Sequence, residues 1–165
     1  VILDRIADGA ERAVRLIGQA MAWTGLALVL LVAANVLGRY FFGLSTVAAQ
    51  ELEWHLLAVG ALFGMAYGLN QGGEVRVDVF FAHFRPGLQA LIDLLTALIL
   101  LAMSLYVVHL SLGFVEQSRS IGEGSPDPGG LPNRWILKAA IPAAFGLLAL
   151  QAAAMALRAL ARIVR

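Results

Sequence analysis

LIGQAMAWTGLALVLLVAANVLG, residues 16–38, carries no charged side chain. Roughly 20 apolar residues suffice for a helix to cross a bilayer, so this stretch is long enough to span with a little tilt. Three more stretches read the same way. In residues 51–71 charge is confined to Glu51 and Glu53 at the start, residues 88–115 carry Asp93 and His109, and in residues 135–157 the charge-free part begins at Ala139. Composition points in the same direction: of 165 residues, 60% are hydrophobic and 14% charged, against about 25% charged in an ordinary soluble domain. That excludes a disordered chain and argues against a soluble one, because so few charged side chains cannot cover so much apolar surface. Four spans use about 80 residues, which leaves loops and tails but no room for a second domain. The expected fold is all-α, a single integral membrane four-helix bundle over residues 1–165.

Ahead of the first span, Ile2, Leu3, Ile6, Ala10, Ala13, Val14 and Ile17 fall near helical spacing between Asp4, Arg5, Asp8, Glu11, Arg12 and Arg15. This predicts an N-terminal amphipathic interfacial segment that lies along the membrane surface and then turns inward. A signal peptide would have a shorter apolar core behind a basic start, so the first span is read as retained. With 12 Lys and Arg against 11 Asp and Glu, the net charge of +1 supplies no field to hold a nucleic acid. The absence of cysteine rules out disulfides, thiolate chemistry and Cys-ligated metals. No internal repeat is visible, so an inverted-repeat transporter core is not indicated.

Counting basic residues in the loops sets the orientation. One side holds Arg5, Arg12, Arg15, Arg76, Arg85, Arg158, Arg162 and Arg165, the other Arg39, Arg119, Arg134 and Lys138. Both termini are expected on the cytoplasmic side. The stretch IGEGSPDPGGLPNRW, residues 121–135, is then an outward loop kept from regular helix by Pro126, Pro128 and Pro132.

Gly60, Gly64 and Gly68 stand four apart, share roughly one face of the second span and permit close approach of another helix, internal or foreign. Glu51 and His55 share a face, while Glu53 points elsewhere; at the outer end of the span Glu51 is expected to cap the helix start and pair with Arg39. Asp93 is expected to meet Arg76 or Arg85, His109 to share a level with Asn35, and Gln151 to require a partner on a neighbouring helix. In GGEVRVDVFFAHFRPG, residues 72–87, Arg76 and Asp78 alternate with valines before a phenylalanine cluster. This fits a membrane-surface turn, and it fits equally well ion pairs with a neighbouring subunit.

Four features together resemble a known family: NVLGRYFFG closing the first span, QELEWHLLAVGALFGMAYGLNQGGEVRVDVFF through the second and its loop, LIDLL in the third, and GSPDPGGLPNRWILKAAIPAAFGLLALQ leading into the fourth. The chain is similar to the small membrane subunit of tripartite ATP-independent periplasmic (TRAP) transporters, the DctQ-like family. The resemblance implies a bacterial inner-membrane heterodimer with a large membrane subunit that holds the substrate and sodium sites. A periplasmic binding protein would deliver a carboxylate-type solute, and membrane lipids would surround the pair. It further implies that Arg39, Glu51, Glu53, Trp54, Arg76, Asp78, Trp135 and Lys138 are structural or interface positions, beside the glycine face of Gly60, Gly64 and Gly68. No catalytic residue, cofactor or metal is implied. The rival is a haem-bearing membrane anchor of a respiratory enzyme, in which His55 and His109 would supply the axial imidazoles; a Soret band in a purified sample discriminates the two.

Overall fold

The computed structural model describes residues 2–73 and 81–164. They form α1 (Ile2–Phe42), α2 (Val47–Asn70), α3 (Pro86–Ser120) and α4 (Trp135–Val164), all four long and apolar enough to cross a membrane. The result is the expected all-α bundle of a multi-pass membrane protein. Helix starts and stops follow local chemistry. Gly43 at φ +64° ends α1, its N–H donating to the Arg39 carbonyl at 3.2 Å, which a residue with a Cβ would do only under strain. The Thr46 hydroxyl then accepts from Ala49 N at 3.2 Å and caps α2. Pro86 opens α3, where its missing N–H costs nothing.

α4 is the hub, packing against α1, α2 and α3, while α3 packs chiefly along α4 and α1 along α2. The most apolar stretch of α4 is 39% buried, that of α1 0%. The α3–α4 seam rests on a repeat of small residues: Ala90, Ala97, Ser104, Ser111 and Ser118, the buried residues of α3, recur every seven positions. A seven-residue period keeps one narrow stripe facing a partner helix, and small side chains let the two backbones close up. Two of the three buried hydroxyls are satisfied within their own helix, Ser104 donating to the Leu100 carbonyl at 2.7 Å and Ser111 to the Val108 carbonyl at 3.0 Å. Val14, Ala66, Leu147 and Leu148 form the buried centre where α1, α2 and α4 meet, with Phe63, Leu69, Leu100 and Phe145 around it.

The amphipathic segment is helical, as its periodicity implies, but it is not set off from the first span. α1 is one helix of 41 residues, about 60 Å long at 1.5 Å per residue, and the turn inward expected after residue 15 does not occur. Its first turns are held instead by the end of α4: Ala7 and Val14 are fully buried, and Arg158 reaches Asp8 and Glu11. The accessible surface is 10667 Å² for a chain of 17.6 kDa, against roughly 7,900 Å² for a compact soluble protein of that mass. The bundle is thin and elongated.

Candidate functional site

At the end of the bundle where α1 passes into α2, one carboxylate organises the loop between α3 and α4. Glu51, in the second turn of α2, is only 6% exposed. Its Oε1 accepts from the Ser125 hydroxyl at 2.5 Å and from the Arg134 guanidinium at 3.0 Å, and its Oε2 accepts from Leu131 N at 2.6 Å. A buried carboxylate is tolerated because charge-assisted donors replace its lost water. The loop is shaped for this. Ser125 N donates to the Leu131 carbonyl at 3.0 Å, Arg134 N to the Glu123 carbonyl at 2.9 Å, and Gly122, Gly129 and Asn133 take positive φ. Gly130 lies against the clasp itself, where a Cβ would run into the Ser125 side chain and within 2.8 Å of Glu51 Oε2.

This corrects the expected pairing of Glu51 with Arg39. Arg39 is exposed at the end of α1 and donates to the Ser45 hydroxyl at 3.3 Å, while the loop brings Arg134 to Glu51 from 83 residues away. His55 Nδ1 lies 2.6 Å from the Glu51 carbonyl, and since a carbonyl only accepts, that nitrogen carries the proton. Glu53 does point away from Glu51: it accepts from Asn35 Nδ2 at 3.0 Å and ties α2 to α1. Asn35 is thus engaged by Glu53, and His109 is exposed on α3. Trp54 is 72% exposed and borders a cavity of about 220 Å³ with His55, Arg134, Leu137 and Lys138.

Trp135 and Lys138 secure the other side of the loop. The Arg119 guanidinium lies 5.6 Å from the Trp135 ring centroid, and the Lys138 ammonium pairs with Glu123 while sitting 4.0 Å from the Phe114 ring centroid. Lys138 holds the Glu123 carboxyl below the ordinary carboxylate range.

The opposite end of the bundle carries a second polar network, which joins all four helices. Arg158 of α4 donates to Glu11 at 2.5 and 2.6 Å and to Asp8 at 2.7 Å on α1, and Arg162 donates to Asp93 of α3 at 2.7 Å. Asn70 at the end of α2 donates to Gln151 of α4 at 3.0 Å and to the Glu11 carbonyl at 3.2 Å. Gln151 therefore has the neighbouring-helix partner that its position in a span demands. The link from Arg158 to Glu11 was not read from the sequence. Its signal was available: acidic residues one helical turn apart in α1 and basic residues near the chain end, both assigned to one side of the membrane. Arg76 and Asp78 lie outside the described residues.

The glycine face divides. At Gly60 a Cβ would come within 3.0 Å of the Thr24 hydroxyl of α1, whereas at Gly64 and Gly68 it would meet nothing within 4 Å. Gly18 of α1 lies under Tyr67 of α2, where any Cβ would strike the Tyr67 side chain. Between these points α1 and α2 leave an apolar groove of about 340 Å³ that includes Gly25, Ala61 and Gly64.

Glu51, Arg134, Glu123 and Lys138 at one end, and Asp8, Glu11, Asp93, Arg158 and Arg162 at the other, are thus spent on joining the helices and loop of this chain. Residues 28–162 match the family described as tripartite ATP-independent periplasmic transporters, DctQ component. No curated protein and no solved structure gives a significant match. Because the family match takes in the end of α1, all of α2 and α3, the loop clasped by Glu51 and nearly all of α4, the chain belongs to the DctQ family, a small component of the TRAP transporters.

Proposed function

We propose that this protein is the accessory scaffold subunit of a sodium-driven importer of carboxylate-type solutes. It pairs with the large membrane subunit, which carries the solute and sodium sites, and works with a periplasmic binding protein. It sits in a bacterial inner membrane with both termini cytoplasmic, in keeping with the basic residues gathered on that side. The observation that supports this reading is the flank of α1 and α2: the apolar stretch of α1 has no buried residue, and no side chain of this chain fills the Gly64 groove beside it. Arg39, Trp54, Gly64 and Gly68 face outward on that flank and are its partner contacts; Arg76 and Asp78 join the proposal on their sequence pattern alone. Glu51, Glu53, Gly60, Trp135 and Lys138 act behind them by holding the presenting surface in shape.

Proteoliposomes containing the large subunit, the binding protein and this chain should accumulate solute down a sodium gradient, and those containing this chain alone should not. Uptake by the chain alone would overturn the assignment. Gly64→Leu tests the flank, because a Cβ there meets nothing within 4 Å and the groove beside it leaves room for the rest of the side chain. Its melting temperature should stay within about 2 °C of the parent while co-purification with the large subunit falls several-fold, the range expected for blocking a close-packed seam. Undiminished co-purification would remove the groove from the interface.

A further inference from the structure

We propose that the cleft between the start of α1 and the end of α4 is a binding site for the phosphate headgroup of an anionic phospholipid, gripped by Arg12 and Arg15. The cleft has a volume of about 370 Å³ and is lined by Asp8, Glu11, Arg12, Arg15, Leu16 and Arg158. The five α1 residues fall at helical spacing on one face, so they present a graded surface to Arg158 across the cleft. Nearest the chain start, Asp8 and Glu11 are both taken up by Arg158. One turn further on, Arg12 and Arg15 are exposed, and among the described residues neither makes a hydrogen bond or ion pair. Leu16, 59% exposed, begins the uncharged run through residue 38. Acid neutralised, cation free, then apolar surface is the order in which a phospholipid offers water, phosphate and acyl chain.

The length of α1 puts these arginines at the right depth. From Arg15 to Arg39, the next charged residue of the same helix, is about 36 Å at 1.5 Å per residue, close to the roughly 40 Å between the headgroup layers of a bilayer. Exposed Tyr40, Phe41 and Phe42 follow Arg39, as aromatic residues do at an interface. With the far end of α1 so placed, Arg12 and Arg15 lie among the phosphates of the other leaflet, and a planar guanidinium recognises phosphate oxygens through paired donors. The residual charge of the cleft is positive, three arginines against two carboxylates, so a zwitterionic headgroup gains less than an anionic one.

Native mass spectrometry of the full chain in detergent, titrated with phosphatidylglycerol, phosphatidylcholine or inorganic phosphate, tests the site. Phosphatidylglycerol should be retained at concentrations about tenfold below those needed for phosphatidylcholine. Arg12→Gln combined with Arg15→Gln should abolish that preference, at the scale expected for two basic side chains near a headgroup. Arg5→Gln, which removes an α1 charge outside the cleft, should keep it. Equal weakening by Arg5→Gln would mean diffuse attraction and overturn the proposal, as would displacement of the lipid by inorganic phosphate at equal concentration. If the double variant binds phosphatidylglycerol unchanged but loses the large subunit, the cleft is a protein contact and the lipid site is refuted.

Discussion

Glu51→Ala should release the loop between α3 and α4, seen as trypsin cleavage after Arg134 at least about tenfold faster than in the parent, since each hydrogen bond to a charged acceptor is worth roughly a factor of ten in an opening equilibrium. The substitution removes the acceptor for the Ser125 hydroxyl, the Leu131 N–H and the Arg134 guanidinium at once. No other described carboxylate is hydrogen-bonded to these three groups. Glu51→Gln should fall between: it keeps one acceptor oxygen but turns an amide toward a donor that needs a lone pair. Gly130→Ala should reproduce much of the effect without touching a charge, because its methyl group occupies the space of Ser125 and Glu51 Oε2. Unchanged protection in Glu51→Ala would mean that the loop is held by its own turns and not by the clasp.

Ser104→Leu should part α3 from α4. Ser104 is fully buried in the middle of the seven-residue stripe, and its hydroxyl is already satisfied within its own helix, so the position is defined by size. Inserting an isobutyl group into a packed seam costs about 1–3 kcal/mol, and in a domain of this size each kcal/mol lowers Tm by roughly 2–4 °C. Ser104→Ala should be nearly neutral, and Met103→Leu, one residue away on the exposed face, more nearly so. Equal Tm for Ser104→Leu and Met103→Leu in thermal scans would show that small size is not what the stripe contributes.

The number and order of spans were legible because a bilayer imposes one length on every crossing, and charge-free runs report it directly. The ends were less so. Residues 16–38, 88–115 and 135–157 became Ile2–Phe42, Pro86–Ser120 and Trp135–Val164, since hydropathy marks the part of a helix in lipid and is silent about turns that continue into water on ion pairs such as Arg158 with Glu11. Those continuing turns also explain why the bend after residue 15 was expected and is absent: alternating charges look interfacial until a partner helix is found for them. Glu51 shows the same limit. Its need for a cation was readable, but proximity along the chain offered Arg39, and only the folded loop brings in Arg134. The α3 stripe could have been read; Ala90, Ala97, Ser104, Ser111 and Ser118 are plain at a spacing of seven, but serine inside a span draws attention as a polar group and not as a small one.

α1 is fastened near both extremities, to α4 and α2 at Glu11 and to α2 at Asn35, points about 36 Å apart along its axis. A rod fixed in this way works as a brace. Sideways load applied to the outer rim of the bundle cannot rack the frame by swinging α1 alone; it is carried as thrust along the rod and delivered to the opposite rim. A neighbour that slides through the membrane would therefore meet a stiff rail, and the motion would stay with the neighbour.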